Sequence, residues 1–302
     1  MGNFCFKQCI LALILGVFSL NAYEPIFGRP DPYHISHTEG KGLGYSVGYT
    51  SLDLFLSPSS KQTCWVPFAD LSGHVFNDGN YASNLGLGFR WLDDCHQSWG
   101  ISGFYDTFQT SQRYYHQVGL GIEALSDTWD VRINGYLPIG RKNTPIYAFV
   151  YEDLSPSGFL LNAKTQFAMK GVDAEFGYHF SNLYVGIGPY YYCGKTSATE
   201  NVFDARNKYA LGGRLRVRST FFNFFTLDAE TTYDSRFNWT GQATLGVNIP
   251  FDFNFNQCAF FNNYSCILEM IQQPVIRNPM IVVDKIHRFS SDPEILDPTF
   301  QP

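Results

Sequence analysis

The sequence is poor in charge and, after its first residues, has no long apolar run. Only 16% of its 302 residues are charged, against roughly 25% in an average soluble protein. After residue 22 there is no stretch of about 18 apolar residues, so no membrane-spanning helix is expected. The net charge of −6 argues against nucleic acid as a partner. If the chain enters a membrane, it must do so as a closed barrel.

Patterns for catalysis and metal binding are also missing. No Cys or His pair has the spacing of a zinc site, and we expect no metal and no cofactor. Carboxylate pairs such as Asp173 and Glu175 come without signs of a raised pKa or a substrate pocket. His116 lies on the apolar face of its segment without a readable serine partner. We therefore expect no enzyme and keep an outer-membrane lipid hydrolase as a remote alternative.

What the chain does have is aromatic residues, glycine and alternation. It contains 28 Phe, 19 Tyr and 27 Gly. Trp129–Gly140 shows the alternation most clearly, because every second residue is apolar and Asp130, Arg132 and Asn134 lie between them. Successive side chains of a strand point to opposite faces. One face of this segment is therefore apolar and the other is polar.

Similar segments recur about twelve times at roughly ten-residue spacing. They occupy residues 42–49, 51–56, 65–76, 81–91, 98–106, 117–124, 129–140, 172–179, 183–191, 209–218, 227–234 and 242–251. An even number of such strands predicts an all-β fold, a transmembrane antiparallel β-barrel with lipid outside and a polar lumen. Such a barrel would have outer-membrane lipid as a partner. The barrel-assembly machinery would be another, since Thr244, Gly246, Ile249 and Phe251 have the spacing that this machinery recognises.

Five segments are predicted along the chain. Residues 1–22 have the layout of a signal peptide, with Lys7 before the apolar run Ile10–Leu20 and cleavage near Ala22. Residues 23–40 are an N-terminal periplasmic lead, 41–251 the barrel, 252–284 a helix and linker, and 285–302 a short tail. This organisation predicts localisation in the bacterial outer membrane.

The connections between strands predict an orientation. If the N-terminus starts in the periplasm, the longer connections face outward, as is usual in such barrels. The longest of them, Arg141–Gly171, is expected to contain a protruding hairpin at Ile146–Tyr151 and Phe159–Phe167.

Charged residues of both signs are placed on the polar, luminal face. They are Glu123, Asp130, Arg132, Asp173, Glu175, Arg214, Arg216, Arg218, Asp228 and Glu230. Neighbouring antiparallel strands set an arginine row opposite an acidic row. The lumen is either a selective aqueous pore or a structural ion-pair lining. Paired charges neutralise each other rather than select ions, which favours the lining.

After Phe251 the alternation stops. Tyr264–Gln272 is expected to be helical and Pro274 ends the helix. An extended linker follows that contains Arg277, Asn278 and Asp284. The segment is either a periplasmic extension or a linker that threads the lumen.

Several motifs of this chain occur together in one known family. Phe104-Tyr105-Asp106, Gln117–Leu125, Trp129-Asp130 and Arg132–Pro138 resemble the inverse autotransporter β-domain, the membrane anchor of intimin- and invasin-like adhesins. Gly171–Glu175 and Gly188–Tyr192 look like the versions found in chlamydia-type bacteria. Gln273–Val283 resembles the segment that leads from the barrel to the passenger. The resemblance covers about residues 40–284.

This resemblance implies a twelve-stranded barrel whose lumen holds a short helix and an extended linker that carries a passenger outward. About twenty residues follow Val283, so the expected passenger is very short or lost and the family's adhesive role is not carried over. The expected function is an outer-membrane anchor that translocates or displays a C-terminal segment. Its partners would be a host surface or other envelope proteins. The alternative is a structural or plugged porin-like barrel.

The cysteines give a prediction about covalent structure. Cys5 and Cys9 lie in the signal, and export permits disulfides among the others. We expect Cys64 to pair with Cys95, on neighbouring periplasmic turns, and Cys258 to pair with Cys266, leaving Cys193 over. Peptide mapping under non-reducing conditions should find these two linked pairs, and any other pairing would contradict the prediction.

Overall fold

The computed structural model describes residues 33–57, 65–93, 97–111, 113–140, 143–151, 160–180, 183–194, 209–221, 225–249 and 273–290. The predicted signal peptide, the predicted helix Tyr264–Gln272 and both predicted disulfides lie outside these residues. Among the described residues, no helix has the length and apolar character needed to cross a membrane.

Twelve antiparallel strands close into a barrel, as predicted. They are β1 (Tyr33–Lys41), β2 (Tyr49–Leu56), β3 (Trp65–Phe76), β4 (Tyr81–Leu92), β5 (Ser98–Gln109), β6 (Tyr114–Leu125), β7 (Trp129–Ile139), β10 (Lys170–Phe180), β11 (Leu183–Cys193), β12 (Tyr209–Phe221), β13 (Phe225–Asp234) and β14 (Asn238–Ile249). Each strand pairs with its neighbour in this order, and β1 pairs with β14 to close the ring. A closed ring leaves no unpaired edge, which is what a strand needs in lipid.

A second, three-stranded sheet combines two strands that lie between β7 and β10 in the chain with one that follows the linker. Its strands are β8 (Asn143–Tyr151), β9 (Leu160–Ala168) and β15 (Val283–Ser290). β9 is the central strand and pairs antiparallel with both of the others. The predicted protruding hairpin is thus confirmed as β8 and β9.

The alternation of each barrel strand separates an outer apolar face from an inner polar one. In β4, Leu87 is 62% exposed whereas Arg90 is 1% exposed. The other strands likewise expose large apolar side chains outward and bury polar ones inward. This arrangement is the reverse of a soluble protein and matches a wall with lipid outside and a polar interior.

The barrel has two rims. We call the rim where β1 begins and β14 ends the terminal rim, and the opposite rim, which carries β8 and β9, the hairpin rim. Aromatic pairs mark both: the Trp65 and Trp91 rings stack at 5.5 Å at the terminal rim, and Tyr233 and Trp239 lie 5.0 Å apart at the hairpin rim. Such girdles are typical of the two membrane–water interfaces.

The predicted start of the barrel is wrong. Residues 33–41 form β1 instead of belonging to a lead, and residues 42–48 form a connection instead of a strand. Alternation misled there because Leu43, Tyr45 and Val47 pack inward against the apolar clusters of the hairpin rim. Gly44 has a φ of +84°, which lies outside the strand region.

Two further predicted boundaries change. The described barrel ends at Ile249, where β14 ends, and the predicted boundary at 251 lies outside the described residues. The predicted tail from residue 285 is in part β15, since residues 283–290 pair with β9. A pairing between segments more than a hundred residues apart left no local pattern in the sequence.

Candidate functional site: the linker in the barrel lumen

The linker residues 273–284 pass through the lumen from the terminal rim to the hairpin rim. Near the terminal rim, Arg90 Nη1 donates to the Gln273 carbonyl at 2.6 Å. Further along, the Val275 amide donates to Asp70 Oδ2 at 3.4 Å, and Asn84 Nδ2 donates to the Pro279 carbonyl at 2.8 Å. The wall therefore satisfies backbone groups of the linker, which would otherwise be buried without partners.

A forked ion pair joins the linker to β5. Arg277 Nη1 and Nη2 donate to the two carboxylate oxygens of Asp106 at 2.9 and 2.6 Å. The guanidinium carbon lies 4.1 Å from the centroid of the Phe104 ring. Asn84 and Gln117 donate to the same carboxylate at 2.7 and 3.1 Å. This forked, charge-assisted geometry holds the guanidinium in one orientation.

The next linker residue is held by tyrosines. The Asn278 amide donates to Tyr136 Oη at 2.9 Å, and its side-chain Nδ2 donates to Tyr192 Oη at 3.1 Å. Tyr136 in turn donates to Asp173 Oδ2 at 2.9 Å. Because each tyrosine accepts from the linker, its own hydrogen is available to a wall carboxylate. The linker thus completes a hydrogen-bond network that starts in the wall.

At the hairpin rim the linker becomes apolar and the wall becomes aromatic. Residues 280–283 of the linker (Met280, Ile281, Val282 and Val283) are each at most 4% exposed. Around them lie side chains from the barrel strands, from β9 and from two connections, which we call the collar: Leu43, Tyr49, Phe76, Phe108, Tyr115, Tyr136, Phe167, Met169, Tyr190 and Tyr192. Fully burying each such linker side chain is worth about 1.5–3 kcal/mol. The contact excludes water at this level.

Beyond the collar a turn fixes the end of the linker. The Asp234 carboxylate accepts from the amides of Arg236 and Phe237, both at 2.6 Å, and so shapes the connection between β13 and β14. That turn directs the Arg236 guanidinium to Asp284, with which it forms a buried ion pair. The connection between β1 and β2 also approaches this end of the linker, since a β-carbon built at Gly44 would lie 2.6 Å from the Val283 nitrogen. Only glycine fits where this backbone approaches the linker.

All ten predicted luminal charges are on the inner face and paired. Arg132 pairs with Asp130 at 2.5 Å, and Glu123 pairs with Arg90 at 2.6 Å. Further along the wall, Arg216 pairs with Glu230 at 2.5 Å. The remaining predicted residues pair at 2.7–3.6 Å: Arg214 with Asp173 and Glu230, Arg216 with Glu175, and Arg218 with Asp228. The arrangement neutralises the wall rather than leaving charges of one sign free.

Tyr45, in the connection between β1 and β2, also contacts the wall. Burial raises the pKa of the Tyr45 phenol well above its usual range. Tyr45 therefore stays protonated and donates to Gln242 Oε1 at 2.8 Å. The connection 42–48 is held against the wall by this bond.

The structure brings most predicted linker residues into contact with the wall. Arg277, Asn278 and Asp284 are buried in it, whereas Pro274 is exposed near the terminal rim. Cys193 is a free, half-buried thiol at the end of β11. Within the described residues, no group of three or more His, Cys, Asp or Glu side chains is arranged to hold a metal ion.

Sequence reasoning missed the wall partners of the linker. They are Asp70, Asn84, Arg90, Asp106, Tyr136, Tyr192 and Arg236. Those on strands all fall on the polar face by alternation, so their direction was readable. Their shared target was not, because the partners come from five strands and one connection that lie far apart in the sequence.

Comparisons with known proteins agree with this architecture. Residues 44–167 match the family model described as the inverse autotransporter β-domain, so the resemblance is confirmed over that range. No curated protein matches the sequence. The closed barrel and the family match over residues 44–167 support an outer-membrane barrel and point to the bacterial outer membrane.

Several solved structures of membrane barrels are similar to this chain. A membrane protein from a study of in-meso crystallization is 16% identical, with a TM-score of 0.59 over 84% of this chain and 99% of that one. The KdgM porin is 11% identical, with a TM-score of 0.42 over 72% of this chain and 98% of that one. The outer membrane phospholipase of Salmonella typhi is 12% identical, with a TM-score of 0.41 over 76% of this chain and 95% of that one. Only the first likeness is close enough to support the fold, and it supports the fold alone.

The fork between Arg277 and Asp106 should hold the linker in place. Asp106→Asn leaves a buried guanidinium without its counter-charge, which costs about 3–5 kcal/mol in such pairs. We expect amide hydrogen exchange over residues 275–283, followed by mass spectrometry, to become at least tenfold faster. Asp228→Asn is the matched control, because it removes a luminal carboxylate that pairs with Arg218 within the wall. Equal exchange in both variants would contradict the assignment.

The effect of the close contact between Gly44 and the Val283 backbone can be measured separately from the effect of backbone strain at Gly44. Gly44 and Gly79 have φ values of +84° and +82°, but only Gly44 lacks room for a β-carbon. Alanine at either position strains the backbone by about 1–2 kcal/mol. We expect only Gly44→Ala to speed exchange at residues 282–284, because only it pushes against Val283. The same exchange in Gly79→Ala would show that strain alone is responsible.

Proposed function

Taking residues 44–167 as an inverse autotransporter β-domain, we propose that the protein is an outer-membrane anchor. Its barrel holds the linker 273–284 in the lumen and displays the segment that follows at the hairpin rim. The observation that carries this proposal is the path of the linker, which starts beside Arg90 near the terminal rim and reaches Arg236 at the opposite one.

The nature of the lumen supports an anchor over an open channel. The charged lining is internally paired, and the collar encloses the linker at the hairpin rim. A conducting pore needs a continuous water path with charges free to interact with solutes. In this barrel the lumen instead holds a peptide segment. The forked ion pair of Arg277 binds it in the middle of the barrel, and apolar packing encloses it at the hairpin rim.

The direction of display rests on the two rims. The connections at the hairpin rim include the insertion 140–169, whereas the terminal rim has connections as short as residues 126–128 and 181–182. Long connections face outward in bacterial barrels, so the hairpin rim faces the cell exterior. Export through a signal peptide cleaved near Ala22, and insertion by the barrel-assembly machinery, belong to the same proposal.

The displayed surface would be the sheet of β8, β9 and β15 with the chain that follows it. A host surface or another envelope protein would meet the molecule there, which is how an adhesive role would be carried. β15 continues directly from the buried linker residue Val283. Anchoring and display are therefore parts of one continuous segment.

Cysteine labelling on intact cells tests this proposal. In a variant with its own cysteines replaced by serine, Lys285→Cys should react with a membrane-impermeant maleimide. Asp78→Cys, in the exposed turn between β3 and β4 at the hairpin rim, is the positive control. Asp127→Cys, in the exposed turn at the terminal rim, should stay unlabelled until the cells are broken.

Two other outcomes would overturn the proposal. Labelling at residue 78 without labelling at 285 would leave a plugged, porin-like barrel whose tail is not displayed. Labelling at 127 but not at 78 would reverse the orientation.

A further inference from the structure

The outer, membrane-facing surface of β2–β5 carries a groove that the anchor function does not use. It has a volume of about 490 Å³, within the roughly 300–1,000 Å³ of ordinary ligand sites. Its lining includes Leu54, Leu71, Gly73, Ser83, Tyr105 and Thr107. Only lipid or another membrane protein can reach this surface.

The groove exists because the middle of one row of outward residues, Gly73, Ser83 and Thr107, is small. Across the sheet, Leu52, Gly73, Ser83, Thr107 and His116 stand opposite one another in register. A β-carbon built at Gly73 would have no heavy atom within 4 Å. The next row toward the terminal rim is large and apolar, with Leu54, Leu71, Leu85 and Tyr105 opposite one another. The three small residues thus leave a depression that a large apolar row borders on the side of the terminal rim.

One end of the groove is polar although it faces the membrane. Ser83 Oγ and Thr107 Oγ1 are hydrogen-bonded at 2.7 Å, and Tyr105 Oη lies 2.9 Å from His116 Nδ1. These side chains lie two to four residues from the strand ends at the hairpin rim. If the Tyr105 hydroxyl donates to Nδ1, the ring carries its own hydrogen on Nε2 and can donate it outward. Polar groups at this level meet lipid headgroups and ester groups rather than acyl chains.

We propose that this groove binds one acyl chain of a glycerophospholipid, with its polar region against Ser83, Thr107 and His116 and the chain over Gly73, Leu71 and Leu54. The combination of an apolar row with hydroxyl and imidazole groups at one end of the groove matches the two halves of such a lipid. The described lining contains no Lys or Arg. It therefore offers no cation for the several phosphates of a multiply phosphorylated glycolipid, and a lipid with a single phosphate fits it better.

Filling the groove provides the test. The full-length protein is reconstituted in bilayer discs of phosphatidylethanolamine and phosphatidylglycerol, and lipid retained per barrel is measured by native mass spectrometry. We expect one retained phospholipid in the native protein and at least a fivefold loss in Gly73→Leu. Gly135→Leu is the matched control, because a β-carbon at Gly135 also meets nothing within 4 Å but lies outside the groove. Heat-dependent gel mobility confirms that each barrel is folded.

A photoactivatable phospholipid gives an independent readout. Its cross-links should fall on the peptides that contain residues 52–54, 71–85 and 105–107, and Ser83→Leu should remove them even if Gly73→Leu fails to assemble. Equal retention in the native protein and Gly73→Leu would overturn the proposal. So would a dimer in light scattering that Gly73→Leu dissolves, because the occupant would then be a second copy.

Discussion

A charge enclosed in a barrel must find its counter-charge inside the barrel, and this requirement organises the lumen. Most of the wall satisfies it by itself, since Arg132, Arg214, Arg216 and Arg218 each meet a wall carboxylate. Asp106 is different, because the ion pair it makes is with Arg277 of the linker. The wall and the linker are therefore electrostatically incomplete without each other, and the position of Arg277 sets the register of the whole linker.

Two kinds of contact hold the linker in the lumen. The fork at Arg277 and the tyrosine bonds to Asn278 are directional, so they fix position. The packing of residues 280–283 in the collar is not directional, and it supplies burial without a fixed register. The directional contacts precede the apolar ones along the linker. The first set fixes the position of the linker, and the second set buries it at the hairpin rim. The ion pair of Asp284 with Arg236 is the last of these contacts, at the hairpin rim.

The sequence was sufficient for the barrel and for the inward charges, because lipid outside and water-like surroundings inside force a strict two-residue period. It failed at β1, where the outward His37 and Glu39 are polar and bond to each other at the exposed hairpin rim. It also failed for the part of the linker that the collar encloses, because Met280–Val283 is a continuous apolar run with no period to read. The partners of the linker depend on which strands lie across the lumen, and no local pattern records that.

The pairing of β15 with β9 gives the exposed chain a mechanical character. β15 leaves the barrel mouth at Val283 and runs outward, while β9 runs back toward the mouth and joins the wall through Met169. A pull on the outer end of β15 is thus resisted at the inner end of β9. Under such a load the ladder of hydrogen bonds is sheared as a set, instead of being opened one bond at a time. The hydrogen bonds between β15 and β9 thus carry part of the load in parallel with the backbone that continues from β15 into the linker.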